Sequence, residues 1–368
     1  MQNFWQTLPK PIVALAPMDG VTDQPFRHLV KKYSNPDLIY TEFTSVEGLC
    51  HAAKVLLRQL LYDESQRPII AQLYGKTPAA FRQIAVLVAE LGFDGIDLNM
   101  GCPAKTVASH GAGAALIKNP KLAQKIIKAT QAGIEDCYQG KHSRDCADIS
   151  QEIWQEVEKK HQALPKKYQA KRKIPVSIKT RIGFDRVITK DWLSTLLETQ
   201  PAAIALHGRT LRQAYKGQAN WQEIGRAVKL AQGTGTFILG NGDLKSRQEA
   251  LVKAKEYGVA GVLIARASLG NPFVFLDEAQ PAGYSKQGAD AESQPAAPRQ
   301  QRSIFKIALE HARLYEKTFA MNEKYSFLPM RKHLAWYIKG IKDASRIRQE
   351  LVLTNSADEV EMLFKKFV

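Results

Sequence analysis

Short apolar runs alternate with longer amphipathic stretches between residues 12 and 265. Most of the runs are apolar throughout, which is typical of strands that are buried on both faces of a parallel sheet. Between them, stretches such as Pro78–Leu91 repeat apolar residues at helical spacing. The predicted strands are Ile12–Ala16, Leu38–Thr41, Ile69–Leu73, Gly95–Asn99, Val176–Lys179, Ala203–Leu206, Phe237–Leu239 and Gly261–Ile264.

Eight strands with intervening helices predict an α/β fold of the (β/α)₈ or TIM barrel type. A doubly wound open sheet is the alternative, but it seldom contains so many strand–helix units. After the last predicted strand, residues 277–302 are rich in Ala, Gln, Ser, Pro and Gly, which indicates a flexible linker. We therefore predict a catalytic barrel at 1–276 and an all-α helical domain at 303–368.

A charged insertion, Cys137–Lys173, separates the fourth helix from the fifth strand. Its second half, from Lys159 to Lys173, contains seven Lys and Arg residues and no acid. Ile153 and Val157, which precede Pro165, are compatible with a helical hairpin. The basic half either contacts an anionic partner or is a solvated coil, and the sequence does not separate these two possibilities.

The whole chain carries a formal net charge of +16, with a sequence pI of about 9.6. Such a surplus indicates a nucleic acid as partner. Part of it lies between Lys324 and Arg348, where seven basic residues face a single acid and aromatic residues are interspersed. The sequence spacing predicts that four of these side chains share one helical face, although a solvated face is the common alternative. These four residues are Lys332, Lys339, Lys342 and Arg346.

Several classes of protein are disfavoured by the sequence. No window contains 18 uninterrupted apolar residues, so we expect no membrane-spanning helix. The first residues lack a charged-then-apolar leader, so we do not expect secretion. The four cysteines fit neither a disulfide framework nor a C-x-x-C metal site. We therefore expect a cytoplasmic, monomeric protein without a metal.

Polar residues follow the predicted strands at corresponding positions. In an α/β barrel, the reacting groups come from the carboxyl ends of several strands, so these residues are the candidates for chemistry. In strand order they are Pro17, Met18 and Asp19, then Gln72, Asn99, Lys179 with Arg181, His207, Asn241 with Gly242 and Asp243, and Ala265 with Arg266.

A phosphate site is predicted after the seventh and eighth strands. The sequence L-G-N-G-D allows close approach to the backbone, and Arg266 could add a forked cationic contact. Lys179 and His207 emerge from neighbouring strands and could stabilise an anionic ring cofactor such as a reduced flavin. Alternatively, Lys179 forms an internal ion pair and His207 is a structural histidine.

Cys102 is the strongest single candidate for a catalytic residue. It lies in a Gly-Cys-Pro loop at a strand end, where we expect no packing role for a thiol. An ordinary thiol is mostly protonated at neutral pH and can donate a proton, whereas a lowered pKa would make it a nucleophile. Cys50, Cys137 and Cys146 are better explained as inert apolar residues.

Taken together, these motifs resemble the tRNA-dihydrouridine synthases. The similarity of motifs extends from about Ile12 to Pro272, and the helical C-terminal domain also has a counterpart in the family. The motifs that carry it are A-P-M-D-G-V-T-D at Ala16–Asp23, A-Q-L-Y-G at Ala71–Gly75, D-L-N-M-G-C-P-A-K at Asp97–Lys105, K-T-R-I-G at Lys179–Gly183, H-G-R-T at His207–Thr210 continuing through Y-K-G-Q-A-N-W, and G-N-G-D at Gly240–Asp243.

The resemblance implies an FMN-binding barrel followed by a tRNA-binding helical domain. It assigns Pro17, Met18, Asp19, Gln72, Lys179 and His207 to the flavin, and Asn241, Gly242, Asp243, Ala265 and Arg266 to its phosphate. Asn99, Tyr215 and Arg181 would contact the substrate uracil, and Cys102 would be the catalytic acid. NADPH, or NADH, would be the reductant. Ala265 departs from the family, which usually has glycine before this arginine.

Two other function classes remain open at this point. A flavin reductase for a small molecule would share the phosphate loop and Lys179, but it would need neither the net charge nor the basic helical tail. A non-catalytic RNA-binding protein would leave Cys102, Asn99 and His207 unexplained.

Overall fold

The computed structural model describes residues 3–51, 54–276, 298–321 and 325–367. Eight parallel strands close into a barrel in sequential order, which confirms the predicted fold class. Each of the predicted strands is present, and six of them extend further than the apolar runs indicate. The strands are β1 (Ile12–Leu15), β2 (Leu38–Ser45), β3 (Ile69–Tyr74), β4 (Gly95–Met100), β5 (Val176–Arg181), β6 (Ala203–His207), β7 (Phe237–Asn241) and β8 (Gly261–Ile264).

Helices surround the barrel and form the C-terminal part of the chain. Those of the barrel and its connections are α1 (Phe4–Thr7), α2 (Gln24–Ser34), α3 (Val46–Cys50), α4 (Pro78–Glu90), α5 (Lys105–Ala108), α6 (Pro120–Tyr138), α7 (Gln151–Ala163), α8 (Lys166–Gln169), α9 (Thr189–Leu197), α10 (Trp221–Ala231) and α11 (Arg247–Tyr257). The C-terminal ones are α12 (Pro298–Phe319), α13 (Leu328–Tyr337), α14 (Ala344–Leu351) and α15 (Ala357–Lys365). Short 3₁₀ turns occupy Lys54–Leu60, Glu64–Gln66, Gly113–Lys118, Ser143–Asp145 and Arg266–Ser268.

The strand register brings polar residues from distant parts of the sequence side by side. Gln72 on β3 is opposite Asp97 on β4. One step further, Asn99 on β4 is opposite Lys179 on β5. Apolar side chains from the strands and the surrounding helices fill the core around this polar group. The candidate residues therefore have a rigid support.

The charged insertion packs against the amino-terminal end of the barrel. Ile153 and Val157 on α7 are fully buried. Glu90, at the end of α4, accepts hydrogen bonds from the Ser143 backbone N–H at 2.7 Å and from the ring of His142 at 2.6 Å. The side chain of the insertion's Tyr168 lies 3.4 Å below the guanidinium of Arg67. This arrangement covers the end of the barrel opposite to the strand ends that carry the candidate site.

The C-terminal helices form their own apolar core and dock on α2 of the barrel. Glu310 on α12 accepts hydrogen bonds from Lys32 and from the Tyr33 hydroxyl. The predicted linker lies outside the described residues as far as residue 297, and α12 begins at Pro298.

The prediction that four basic side chains share one helical face is wrong. Helix α13 ends at Tyr337, and the next helix begins only at Ala344. Gly340 adopts a φ of 83° and Asp343 a φ of 56°, and these left-handed conformations interrupt the helix. Lys339 and Lys342 therefore lie on the connection between α13 and α14, whereas Lys332 lies on α13 and Arg346 on α14.

Two kinds of element are absent from the described part of the chain. None of its helices is sufficiently long and apolar to cross a membrane. Among the same residues, no three or more His, Cys, Asp or Glu side chains are grouped in a way that could hold a metal ion.

Two buried histidines lie in the interface between the barrel and the helical domain. His311 and His333 have ring centroids 4.8 Å apart, and both rings contact Phe26 of α2. Neither ring nitrogen of His333 has a hydrogen-bond partner among the described residues. Burial lowers the pKa of His311 from 6.5 to about 3 and lowers that of His333 as well. Both rings are therefore neutral in the folded protein at neutral pH.

We predict that this pair makes the protein acid-sensitive. Below pH 6.5 the unfolded chain binds protons on these rings while the folded chain does not, so stability is complete above that pH and is lost below it. Each histidine then lowers the free energy of unfolding by about 1.4 kcal/mol per pH unit. Asp23, Glu42 and Asp97 act in the opposite direction over the same range, because burial raises their pKa values. The histidine effect is therefore read from a comparison: in urea unfolding from pH 7 to pH 5, the wild type should lose more stability than His333→Phe.

The control is Met330→Leu, a substitution of a buried residue on the same helix that carries no ionisable group. This variant should leave the pH slope unchanged. An identical slope in wild type and His333→Phe would contradict the assignment of acid sensitivity to the buried pair.

Candidate active site

The predicted site residues lie together at the carboxyl ends of the strands. In the row formed by β5, β6 and β7, Arg181 is opposite His207, and His207 is opposite Asn241. One layer deeper, Lys179 contacts Asn241 through a hydrogen bond of 3.2 Å between Nζ and Oδ1. The closed parallel sheet therefore converts separate sequence motifs into one cluster at the barrel mouth.

Asn99 shapes the loop that carries Cys102. Its Oδ1 accepts the backbone N–H groups of Gly101 at 3.1 Å and Cys102 at 2.9 Å. The side chain of Asn99 is buried, so these bonds are shielded from competing water. The strand end thus determines where the Gly-Cys-Pro loop begins.

Arg181 holds the same loop from the neighbouring strand. Its Nε donates to the carbonyl of Gly101 at 2.7 Å, and one of its terminal nitrogens donates to the carbonyl of Thr210 at 3.3 Å. The same nitrogen lies 3.4 Å from His207 Nδ1. A guanidinium can only donate, so Nδ1 accepts and the proton of the neutral imidazole resides on Nε2. Arg181 joins the Cys102 loop to the loop after β6.

The thiol of Cys102 is 9% exposed and lies in a small apolar cluster with Val107 and Ala112. The expectation that this thiol has no packing role is therefore wrong. Burial raises the pKa of Cys102 above its ordinary value, while the nearby charges of Arg181 and Lys179 act in the opposite direction. The thiol is protonated at neutral pH and is suited to give a proton rather than to attack as a thiolate.

Lys179 is a cation without an acidic counterpart in direct contact. Among the residues described, no carboxylate forms an ion pair with its Nζ, whose hydrogen bond goes to Asn241. Burial and the neighbouring Arg181 lower the pKa of Lys179 to about 8, so it remains mostly charged at pH 7. Burial and the surrounding cations lower the pKa of His207 to about 2, so that ring stays neutral. The mouth therefore favours an anion.

The backbone after β7 approaches its surroundings closely. Gly242 has a φ of 136°, and a Cβ at this position would lie 2.5 Å from the Cβ of Ala219. Only glycine fits such a conformation and such a space. The side chain of Asn241 is fixed by donation from Nδ2 to the carbonyl of Leu263 at 2.8 Å. This segment presents main-chain groups to the mouth.

The carboxylate of Asp243 is used within the protein. It accepts hydrogen bonds from Arg209 at 2.8 and 2.6 Å, from the Ala219 N–H at 2.8 Å, and from Arg266 at 3.1 Å. Arg209 is buried, whereas Arg266 is exposed at the mouth. Asp243 therefore orients two arginines. Ala265 has a φ of −117°, which lies outside the left-handed region that favours glycine.

Tyr215 lies on the rim, in the loop between β6 and α10. Its side chain is 66% exposed, and its ring is 4.9 Å from the guanidinium carbon of Arg266. A large exposed aromatic group next to a cation is a suitable surface for stacking a base.

The loop after β1 forms the wall of the mouth that faces the helical domain. Pro17 and Met18 are half-buried there, and the Met18 N–H donates to the hydroxyl of Thr22 at 3.0 Å. A Cβ on Gly20 would lie 2.8 Å from Lys332 Nζ, so this lysine of α13 contacts the loop. The charge of Lys332 also acts on Asp19 and Asp23. Lys332 thus bridges the two domains.

Lys339 and Lys342 are exposed on the connection that follows α13. Neither has an ion-pair partner among the described residues. In contrast, Arg346 lies 3.6 Å from Glu350 on its own helix. The predicted basic set is thus divided among an interdomain lysine, two free lysines and a paired arginine.

Two residues of the site received no role from the sequence, although Arg209 was noted among the polar residues that follow the sixth strand. Asp97 is fully buried inside the barrel and accepts hydrogen bonds from Gln72 and Ser177. Arg209 is buried and holds Asp243. An acid within an otherwise apolar strand was an available signal for Asp97. For Arg209, the sequence offered only its position after a strand end.

Comparison with known proteins identifies the family. The sequence model described as dihydrouridine synthase (Dus) matches residues 14–163 and 152–367. A probable tRNA-dihydrouridine synthase of Staphylococcus epidermidis is 32% identical over 372 residues, covering 100% of this chain and 96% of that protein. The probable tRNA-dihydrouridine synthase 2 of Bacillus subtilis is 32% identical over 371 residues, covering 100% of this chain and 97% of that protein.

Among solved structures, DHODH from Eimeria tenella in complex with ferulenol superimposes with a TM-score of 0.44 and 13% identity, covering 70% of this chain and 76% of that chain. This similarity is too low to carry an argument about function. The family match, in contrast, includes both the barrel and the C-terminal helices, and the relatives extend over the full chain. The chain belongs to the dihydrouridine synthase family.

Proposed function

We propose that this protein is a cytoplasmic, monomeric tRNA-dihydrouridine synthase that reduces the 5,6 double bond of uridines in tRNA, with FMN as cofactor and NADPH or NADH as reductant. The observation that carries the proposal is a buried, protonated Cys102 thiol on a fixed loop beside the cationic barrel mouth. The names of the relatives support the same reaction.

The residues at the mouth fit an FMN. Lys179 offers a positive charge that no described carboxylate neutralises by direct contact, as an anionic ring would require. The main chain at Gly242 and Asp243, where a Cβ on the glycine would clash, offers N–H groups for a phosphate, and Arg266 adds a cation. Pro17, Met18, Asp19, Gln72 and His207 complete the proposed set, with Asn241 holding Lys179 and Ala265 preceding Arg266.

The chain's own residues have distinct parts in the reaction. When bound and reduced, FMN supplies a hydride to carbon 6 of the uracil. Cys102 donates its proton to carbon 5, where negative charge develops. Lys179 and Arg181 interact favourably with the thiolate that this transfer leaves. Asn99, Arg181 and Tyr215 hold the uracil in the mouth. A stacked uridine is inaccessible to Cys102, so the nucleotide must leave the tRNA fold before it reacts.

The tRNA would be bound by the rim of the mouth and the helical domain. Lys339 and Lys342 are exposed cations without described partners and are suited to phosphate contacts. Lys332 belongs to the same surface, but Asp19 and Asp23 partly balance its charge. We therefore expect Lys332→Gln to weaken tRNA binding less than substitution of the two free lysines.

The first test removes the proton donor. Cys102→Ala should lower dihydrouridine formation by about 10² or more, because the acid is lost while the binding residues remain. Flavin absorbance and tRNA affinity should be unchanged. Dihydrouridine is measured by mass spectrometry of digested tRNA, and Cys50→Ala is the control, with activity like the wild type. Wild-type turnover in Cys102→Ala would remove this thiol from the mechanism.

The second test concerns the proposed phosphate site. Arg266→Met should raise the dissociation constant of FMN by about tenfold to a hundredfold, because a charge-assisted hydrogen bond is lost. Titration of flavin fluorescence measures this constant. Arg226→Met is the control, since Arg226 is an exposed arginine paired with Glu223 on α10. Equal FMN affinity in the two variants would place the phosphate elsewhere.

The third test separates an RNA enzyme from a small-molecule reductase. Lys339→Gln combined with Lys342→Gln should weaken tRNA binding and reduce the slope of log affinity against log salt by about 1.5, because two phosphate contacts are lost. Flavin content should not change. Lys166→Gln with Lys167→Gln, two exposed lysines of the insertion at the other end of the barrel, is the matched control. Salt-independent binding in the wild type would favour the small-molecule alternative.

A further inference from the structure

Asp97 anchors a chain of hydrogen bonds that runs from the barrel interior to the Cys102 loop. This side chain is 0% exposed. Its Oδ1 accepts from the hydroxyl of Ser177 at 2.7 Å, and its Oδ2 accepts from Nε2 of Gln72 at 2.7 Å. Oε1 of Gln72 then accepts from Nδ2 of Asn99 at 3.0 Å. Oδ1 of Asn99, in turn, receives the N–H groups of Gly101 and Cys102.

The direction of this chain depends on the carboxylate. An amide side chain has nearly the same shape in its two orientations, so packing alone does not decide which end of Gln72 faces Asp97. An ionised carboxylate can only accept, and it therefore requires the nitrogen of Gln72. The oxygen of Gln72 must then face Asn99 and receive its nitrogen. As a consequence, the oxygen of Asn99 is directed at the Cys102 loop.

We infer that Asp97 is a positioning residue that sets the polarity of the Gln72–Asn99 chain and thereby the placement of the Cys102 loop. With Gln72 inverted, its nitrogen would face the nitrogen of Asn99. Asn99 would then have to turn as well, and its nitrogen would meet the N–H groups of Gly101 and Cys102. That arrangement opposes donors to donors and releases the loop. The catalytic consequence rests on the proposed function, but the structural consequence for Cys102 does not.

The same polarity leaves one hydrogen on Gln72 Nε2 and one on Asn99 Nδ2 outside the hydrogen bonds of the described residues. Each amide therefore has one donor left for a bound group, while the oxygen of Asn99 already accepts two N–H groups. Donors suit a ring carbonyl that gains negative charge during reduction. Asp97 would thus prepare the site for carbonyl oxygens without touching them.

The experiment compares three variants of the full-length protein. Asp97→Leu removes the acceptor, Asp97→Asn retains one acceptor oxygen, and Ser177→Ala removes the other hydrogen bond of Asp97 without touching Gln72. The first readout is the rate at which iodoacetamide alkylates Cys102, measured by mass spectrometry of the Cys102 peptide. Peptides containing Cys50, Cys137 and Cys146 report on general unfolding. The second readout is kcat and KM for dihydrouridine formation in tRNA.

In Asp97→Leu, we expect alkylation of Cys102 to accelerate about tenfold, the factor that corresponds to the loss of a typical buried hydrogen bond. The other cysteines should react at their wild-type rates. We also expect kcat to fall about tenfold or more while KM for tRNA stays unchanged. Asp97→Asn should recover most of both properties, since its oxygen can still accept from Gln72 while the Ser177 hydroxyl accepts from its nitrogen. Ser177→Ala should resemble the wild type.

Two outcomes would overturn the inference. Wild-type alkylation of Cys102 in Asp97→Leu would show that the loop does not depend on this carboxylate. If Asp97→Leu and Ser177→Ala changed the alkylation rate of Cys102 equally, Asp97 would stabilise the barrel interior without setting the orientation of Gln72. A third outcome separates the two proposals. If Cys102 is alkylated faster in Asp97→Leu but the wild type forms no dihydrouridine, the proposed function is contradicted and the positioning role of Asp97 stands.

A further variant keeps the test decisive if Asp97→Leu does not fold. In the double variant Asp97→Asn with Ser177→Ala, the nitrogen of the new asparagine loses its partner, so the side chain at position 97 no longer selects the orientation of Gln72. We expect alkylation of Cys102 in this double variant to exceed that in both single variants by more than their combined effects. If the effects of the two single substitutions on the alkylation rate simply added, the orientation of Gln72 would not depend on both groups together, and the inference would be contradicted.

Discussion

The register of the closed parallel sheet is the constraint on which the site depends. Strand pairing places Gln72 beside Asp97 and Asn99 beside Lys179, although the members of each pair come from different motifs. A shift of one residue in any of these strands would turn the polar side chains to the other face of the sheet. The apolar residues between them therefore determine the geometry of the chemistry, because they fix the register that brings the polar groups together.

Two acids near the mouth have their carboxylates bound by groups of the protein itself. Asp97 holds an amide and a hydroxyl, and Asp243 holds two arginines and a backbone N–H. Lys179 is left with an uncharged partner, Asn241. Since a buried charge is costly without compensation, such an arrangement is sustained most easily by an anionic ligand. The charge of Lys179 therefore lowers the stability of the protein and raises its affinity for an anion.

Much of the fold was predictable because buried parallel strands leave an apolar signature that needs no knowledge of their neighbours. The sequence underestimated strand ends such as Arg181, since polar residues at the mouth continue the strand while breaking its apolar pattern. The candidate positions could be predicted because reacting groups of a barrel lie at the carboxyl ends of its strands. Their hydrogen-bond and ion-pair partners could not be predicted in this way. That Asp243 binds Arg209 and that Asp97 binds Gln72 depends on tertiary proximity. The prediction of one basic helical face was wrong because left-handed conformations at Gly340 and Asp343 interrupt the helix. The spacing of charged residues does not reveal such an interruption.

The insertion has a consequence for how this chain can change over evolution. Its contacts with Glu90 and Arg67 lie at the amino ends of the strands, on the far side of the barrel from Cys102. Because the layers of core side chains separate the two ends, lengthening, trimming or recoding this segment need not disturb the reacting groups. The candidate site and the insertion are thereby separated from each other, so a new segment can be added at one end of the barrel while the groups at the other end keep their positions.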